Sequence, residues 1–155
     1  MKILISISEP IRTGVEMFDP QLINTQFTNT DRLVLMRISD FLQCARRIAG
    51  GPKSKMKAAR VKALGDQGIA FNQLPYLRLE DQDDTVKVVG HEGRHRSMYL
   101  RELGYTHVPV VLRHSTGLSA NPETIIGEHG NLIRPAMLNY PYIQPESTQP
   151  FESYT

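Results

Sequence analysis

Residues 85–112, TVKVVGHEGRHRSMYLRELGYTHVPVVL, constrain the fold more than any other stretch of this 155-residue chain. They read as strand, glycine turn, helix, strand. Val86, Val88 and Val89 have strand character, and Tyr99, Leu100 and Leu103 recur at helical spacing. Gly104 then suits the residue just past a helix end. Residues 108–112 (VPVVL) form a further strand, with Pro109 fitting a first or edge position. Between the first strand and the helix, Gly90, His91, Glu92, Gly93, Arg94, His95 and Arg96 crowd titratable side chains into one turn.

The rest of the chain builds around this unit. Residues 2–8 and 32–38 are predicted strands, and 9–31 are predicted to be irregular. Ser39 or Asp40 offers an N-cap for a helix over 41–49, ended by Gly50 and Gly51. A second helix is expected over 52–65, with Met56, Ala59 and Ala63 on one face. After a connector over 68–75, residues 76–80 and 85–89 should pair as a hairpin through the acidic loop DQDD. Leu77 and Leu79 alternate there with Tyr76, Arg78 and Glu80, as a half-buried strand requires. Beyond His114 prolines become frequent, residues 125–133 suggest a hairpin, and the last fifteen residues resemble an extended tail. The expected organisation is a lead-in over 1–31, a domain over 32–114 and a proline-rich extension over 115–155. The expected class is α+β, a small mixed sheet with packed helices.

Composition sets the outer bounds. Hydrophobic residues make up 40% and charged residues 22%, as in a globular domain. The net charge of +2 carries no global commitment to nucleic acid. The single Cys44 rules out an internal disulfide and any cysteine-rich zinc site, and it suits a reducing cytoplasm. No apolar run reaches the roughly 18 residues that span a bilayer. Met1 to Ile5 is too short for a signal-peptide core, so a cytoplasmic, non-membrane protein is expected.

Arg96, Leu100 and Leu103 fall at i, i+4 and i+7, so Arg96 is expected to point at the sheet from the first helical turn. A guanidinium so placed needs an anion or a carboxylate, because an unpaired buried charge is costly. The free N–H groups of the helix start add partial positive charge at the same spot. Together they read as a phosphate cradle. The competing structural reading is a salt bridge from Arg96 to Glu92 or to an aspartate elsewhere. A further reading comes from His91, Glu92 and His95, which match the H-E-x-x-H zinc pattern, with Glu102 or Glu123 as third ligand. That chemistry needs both histidines one turn apart on a helix, whereas a β-like run precedes His91 and Gly93 interrupts the motif.

Three other clusters stand out. Arg46, Arg47, Lys53, Lys55, Lys57, Arg60 and Lys62 form a basic run without an acid, which suits a nucleic-acid backbone or a solvated helix. Glu80, Asp81, Asp83 and Asp84 read as a solvated hairpin tip rather than a cation site. His107, His114 and His129 read as surface or strand-end residues.

The order strand, acidic-Gly-x-His-Arg, helix ending in Leu-Gly, then a strand with Val-Pro-Val resembles the ParB/sulfiredoxin superfamily. The resemblance runs from about residue 33 to 113 and is densest over 86–112; LPYLRLE before it also fits. HEGRHR is similar to the version in ParB-like domains of phages and mobile elements. The resemblance implies a nucleotide at the turn, ATP or CTP, with Mg2+ as an optional companion. In that family partitioning members hydrolyse CTP, while serine-kinase members and sulfiredoxins use ATP or ADP. Gly93 matches the turn glycine, Arg96 the terminal arginine, Glu92 the acidic residue and His95 the residue before the last arginine. Arg94 stands where sulfiredoxin has its cysteine, which excludes that reaction. The residues after His114 are too few and too proline-rich for the DNA-reading domain of partitioning proteins.

The expected function is thus a ParB-like domain that holds a nucleotide or nucleic-acid phosphate through Gly90, His91, Gly93, Arg94 and Arg96. Glu92 and His95 are its candidate catalytic residues, with NTPase, kinase and nuclease chemistry all open. A non-enzymatic virion or host-interaction module, docking or oligomerising through its C-terminal tail, is the first alternative. A zinc hydrolase is the second.

Overall fold

A computed structural model describes residues 10–22, 30–45, 51–118 and 121–137. The strand expected over 2–8, the C-terminal tail, Arg46 and Arg47 lie outside the described residues. The elements are β1 (Asp31–Arg37), α1 (Ile38–Cys44), α2 (Pro52–Asp66), β2 (Tyr76–Gln82), β3 (Thr85–Glu92), α3 (Arg94–Glu102), β4 (His107–His114), β5 (Ile125–Ile126) and β6 (Leu132–Ile133). The strands form one mixed sheet in the order β1-β4-β2-β3-β5-β6. β2 runs parallel to β4 and β3 parallel to β5, and the remaining neighbours are antiparallel. The described chain is therefore mixed α+β, a six-stranded sheet with three helices.

β1 and β4 carry the core. Leu33, Val34, Leu35 and Met36 are all buried, as are Val108, Val110, Val111 and Leu112 opposite them. β4 is an interior strand, so Pro109 is not on an edge. The N–H groups of His107 and Val111 bond to Arg12 and Pro75, on the side away from β1. Pro109 shares that orientation by strand alternation. β2 pairs with β4 only from Val111 onward, so the missing N–H of Pro109 breaks no ladder bond. The hairpin expected over 125–133 forms as β5 and β6, and Ile125 and Ile133 join the core. From the other end, Phe18 and Leu22 join it too.

The helices depart from the sequence expectation in three places. α1 ends at Cys44, where Ala45 is already extended, instead of running to residue 49. α1 starts at Ile38, earlier than a cap at Ser39 or Asp40 would allow. The N–H of Ile38 donates to the Thr106 carbonyl at 2.9 Å, so a neighbouring strand end supplies what a capping side chain would have given. In α2, Met56, Ala59 and Ala63 face solvent, with Met56 64% exposed. Ser54, Val61, Leu64 and Gly65 form the packed face instead. Gly65 explains the choice. The Tyr99 ring of α3 lies where a Cβ on residue 65 would be, and the Tyr99 hydroxyl donates to Asp66 Oδ1 at 2.9 Å. A short aliphatic stripe loses to close approach of an aromatic ring.

His107 gives the fold a pH dependence. It is buried at the start of β4, with Nδ1 2.8 Å from Thr106 Oγ1. Burial, then the charge of Arg37, lower its pKa from 6.5, while Asp40 opposes. The unfolded chain therefore binds a proton at this residue more readily than the folded chain. Stability falls as pH drops below 6.5, by at most about 1.4 kcal/mol per pH unit for one proton of difference. Urea midpoints between pH 7.5 and pH 5 check this. His107→Gln is expected to flatten the dependence, and an unchanged slope would contradict it.

Candidate functional site

Residues 90–96 divide between two elements joined by one turn residue. Gly90, His91 and Glu92 are the last residues of β3, which runs three residues further than expected. Gly90 is thus a strand residue, facing Arg78 across a register shift in β2, and the Arg78 guanidinium lies over the space a Cβ would fill. Gly93 alone makes the turn, with φ at 101°. Arg94, His95 and Arg96 form the first turn of α3. No side chain caps that turn and no acidic residue lies in it. Its leading N–H groups carry the partial positive charge of the helix start.

Two of the expected phosphate ligands have structural partners. His91 Nδ1 lies 2.7 Å from Glu128 Oε1, and both side chains are largely buried. The Glu128 N–H in turn donates to the Cys44 carbonyl at 3.1 Å. Arg94 Nη1 donates to the carbonyls of Leu42 and Ala45, 3.2 Å each, at the end of α1. These carbonyls carry the negative end of that helix. His91 and Arg94 therefore tie β3 and α3 to α1 and to the β5–β6 turn. Glu128 was not singled out in the sequence, where it lies in a distant turn.

Arg96 and the two candidate catalytic residues, Glu92 and His95, act on one another electrostatically. Arg96 Nε and Nη2 are buried and have no hydrogen-bond partner among the described residues. Burial lowers the Arg96 pKa and the nearby charge of Glu92 raises it. The register argument holds for Arg96 and for the fully buried Leu100, but Leu103 is 42% exposed. His95 Nδ1 is likewise buried without a partner, while Nε2 lies 3.4 Å from Ser54 Oγ in the first turn of α2. Burial, then Lys57, Arg94 and Arg96, push the His95 pKa down, against Glu92. The balance favours the neutral imidazole.

The zinc arrangement is not formed. His91 lies on a strand and His95 on a helix, and among the described residues no group of three His, Cys, Asp or Glu is placed to hold a metal ion. Cys44 is buried, and burial followed by Asp40 pushes its thiol from 9.0 to about 12, which makes it a poor nucleophile.

The described basic residues of α2, Lys53, Lys55, Lys57, Arg60 and Lys62, are all exposed. Lys62 pairs with Asp66 at 2.9 Å on the surface. Lys53, Lys57 and Arg60 follow i, i+4, i+7 spacing and make one stripe. At the far end of β3, a cavity of about 640 Å3 is lined by Asp81, Asp83, Asp84, Glu123 and His114 among others. His114 is a strand-end residue, the last of β4, and is buried, with Nε2 2.9 Å from Asp81 Oδ1. No helix among the described residues is long and apolar enough to cross a membrane.

Comparison of the chain with protein-family models, with curated proteins and with solved structures finds no match in any of the three.

Proposed function

We propose that residues 92–96 bind the phosphate of a nucleotide, ATP or CTP, or of a nucleic-acid strand, as a ParB/sulfiredoxin-like domain of a phage or mobile element in the cytoplasm. The observation that carries this reading is the Arg96 guanidinium, with Nε and Nη2 buried and unpartnered beside an uncapped helix start. Buried guanidinium N–H groups without acceptors are costly, and an anion that accepts from them would offset that cost. Gly93 supports the reading because it lets the chain turn tightly into the helix. The charge of Glu92 reaches both Arg96 and His95, and in this reading Glu92 orients a Mg2+ held by the phosphate. The chemistry proposed is phosphoryl transfer or hydrolysis, with Glu92 and His95 nearest the reacting group. The stripe of Lys53, Lys57 and Arg60 favours the nucleic-acid form, because Lys57 is close enough to act on His95.

Calorimetric titration with ATP, CTP, GTP and ADP, with and without Mg2+, tests the nucleotide form. Saturable heat with at least one of them is expected. No heat with any would overturn it. In the nucleic-acid form, neutralising Lys53, Lys57 and Arg60 reduces the salt dependence of DNA affinity; an unchanged dependence removes that form.

A further inference from the structure

We infer that Ser54 is a phosphoacceptor, taking a phosphoryl group from a nucleoside triphosphate bound at the neighbouring turn, with His95 as its general base. The inference rests on the nucleotide reading of residues 92–96. Its own observation is the contact between Ser54 Oγ and His95 Nε2, 3.4 Å apart and 41 residues apart in sequence. A hydroxyl beside an imidazole nitrogen is the arrangement that activates serine as a nucleophile, and such contacts are commonly long before the substrate binds. In the tautomer whose Nε2 accepts from the hydroxyl, the ring proton sits on Nδ1, which is buried and has no hydrogen-bond partner among the described residues.

The histidine is suited to the task. Burial, Lys57, Arg94 and Arg96 all favour its neutral form, which is the form that accepts a proton, and Glu92 limits the shift. The serine is accessible, half-buried at the third residue of α2. Arg96 is the residue after His95, and its charge reaches the imidazole that contacts the hydroxyl. In the step, the Ser54 oxygen attacks the γ-phosphorus, and the bond from that phosphorus to the bridging oxygen breaks. The nucleoside diphosphate leaves with the bond's electrons, and the hydroxyl proton passes to His95 Nε2. The product phosphate stands in the first turn of α2, where no side chain caps the helix and Lys53 and Lys57 are nearby in sequence. A phosphate there gains charge-assisted hydrogen bonds and favourable alignment with the helix.

The test uses the full chain incubated with γ-labelled ATP or CTP and Mg2+. Intact mass and peptide mapping are expected to show one added phosphoryl group on Ser54. Ser54→Ala should abolish the label, and His95→Asn should slow its appearance on the order of 100-fold, the usual contribution of a general base. Ser54→Ala should keep nucleotide binding by calorimetry. Binding without label on Ser54, label on another residue, or an unchanged rate in His95→Asn each overturns the proposal while leaving the nucleotide reading intact. No binding in the parent chain overturns both.

Discussion

Gly93→Ala is expected to cost about 3 kcal/mol or more, the sum of a left-handed backbone and an overpacked contact. Residue 93 has φ at 101°, well outside what an L side chain adopts at ease. Its added Cβ would also lie 2.5 Å from Pro75 Cβ and 2.7 Å from Pro75 Cα. Relief is not available on the Pro75 side. The ring has little freedom, and the Pro75 carbonyl accepts from the Val111 N–H at 2.9 Å, which fixes it to β4. Moving Gly93 would instead shift the end of β3, where Glu92 pairs with Tyr76. Either way the strain reaches the interior of the sheet. Domains of this size are held by about 5–15 kcal/mol, so the variant loses a large share of its stability. Urea denaturation measures it. A loss below about 1 kcal/mol would show that the turn accommodates a side chain, contrary to the geometry.

The sequence displayed the elements that rest on local periodicity. The β2–β3 hairpin follows from alternation of Leu77 and Leu79 with polar neighbours, and both leucines are buried. α3 follows from its leucine spacing and from Gly104, and β5–β6 from the short apolar pairs flanking Gly-Glu-His-Gly. What failed was each inference that needed to know a neighbour. The outward stripe on α2 was invisible because Gly65, a helix weakener in isolation, is the contact residue once Tyr99 is beside it. The start of α1 was missed because Thr106, sixty-eight residues away, supplies its bond. The site shows the same division. The inward direction of Arg96 is a local property of helix register and was legible. The partners of His91 and Arg94 come from Glu128, Leu42 and Ala45, and no spacing rule points to them.

Arg96→Met separates binding from folding by the sign of its effect. Arg96 buries two guanidinium nitrogens without hydrogen-bond partners among the described residues. Methionine fills similar space without a charge to desolvate, so the variant should be more stable by about 1 kcal/mol, as when a functional group held at a cost is removed. The offset comes from Glu92, which loses its nearby cation, but Glu92 is only half-buried at the strand end and keeps access to water. Nucleotide affinity should move the other way. Losing a charge-assisted contact from a buried guanidinium costs about 2 kcal/mol or more, a weakening of roughly 30-fold. A merely structural Arg96, paired in solution with Glu92, predicts the reverse on the first measurement: lower stability in the variant. Denaturation and calorimetry on one protein preparation thus decide between the two roles. A variant that is destabilised and still binds nucleotide with unchanged affinity would return Arg96 to the structural reading and remove the main support for an anion at this turn.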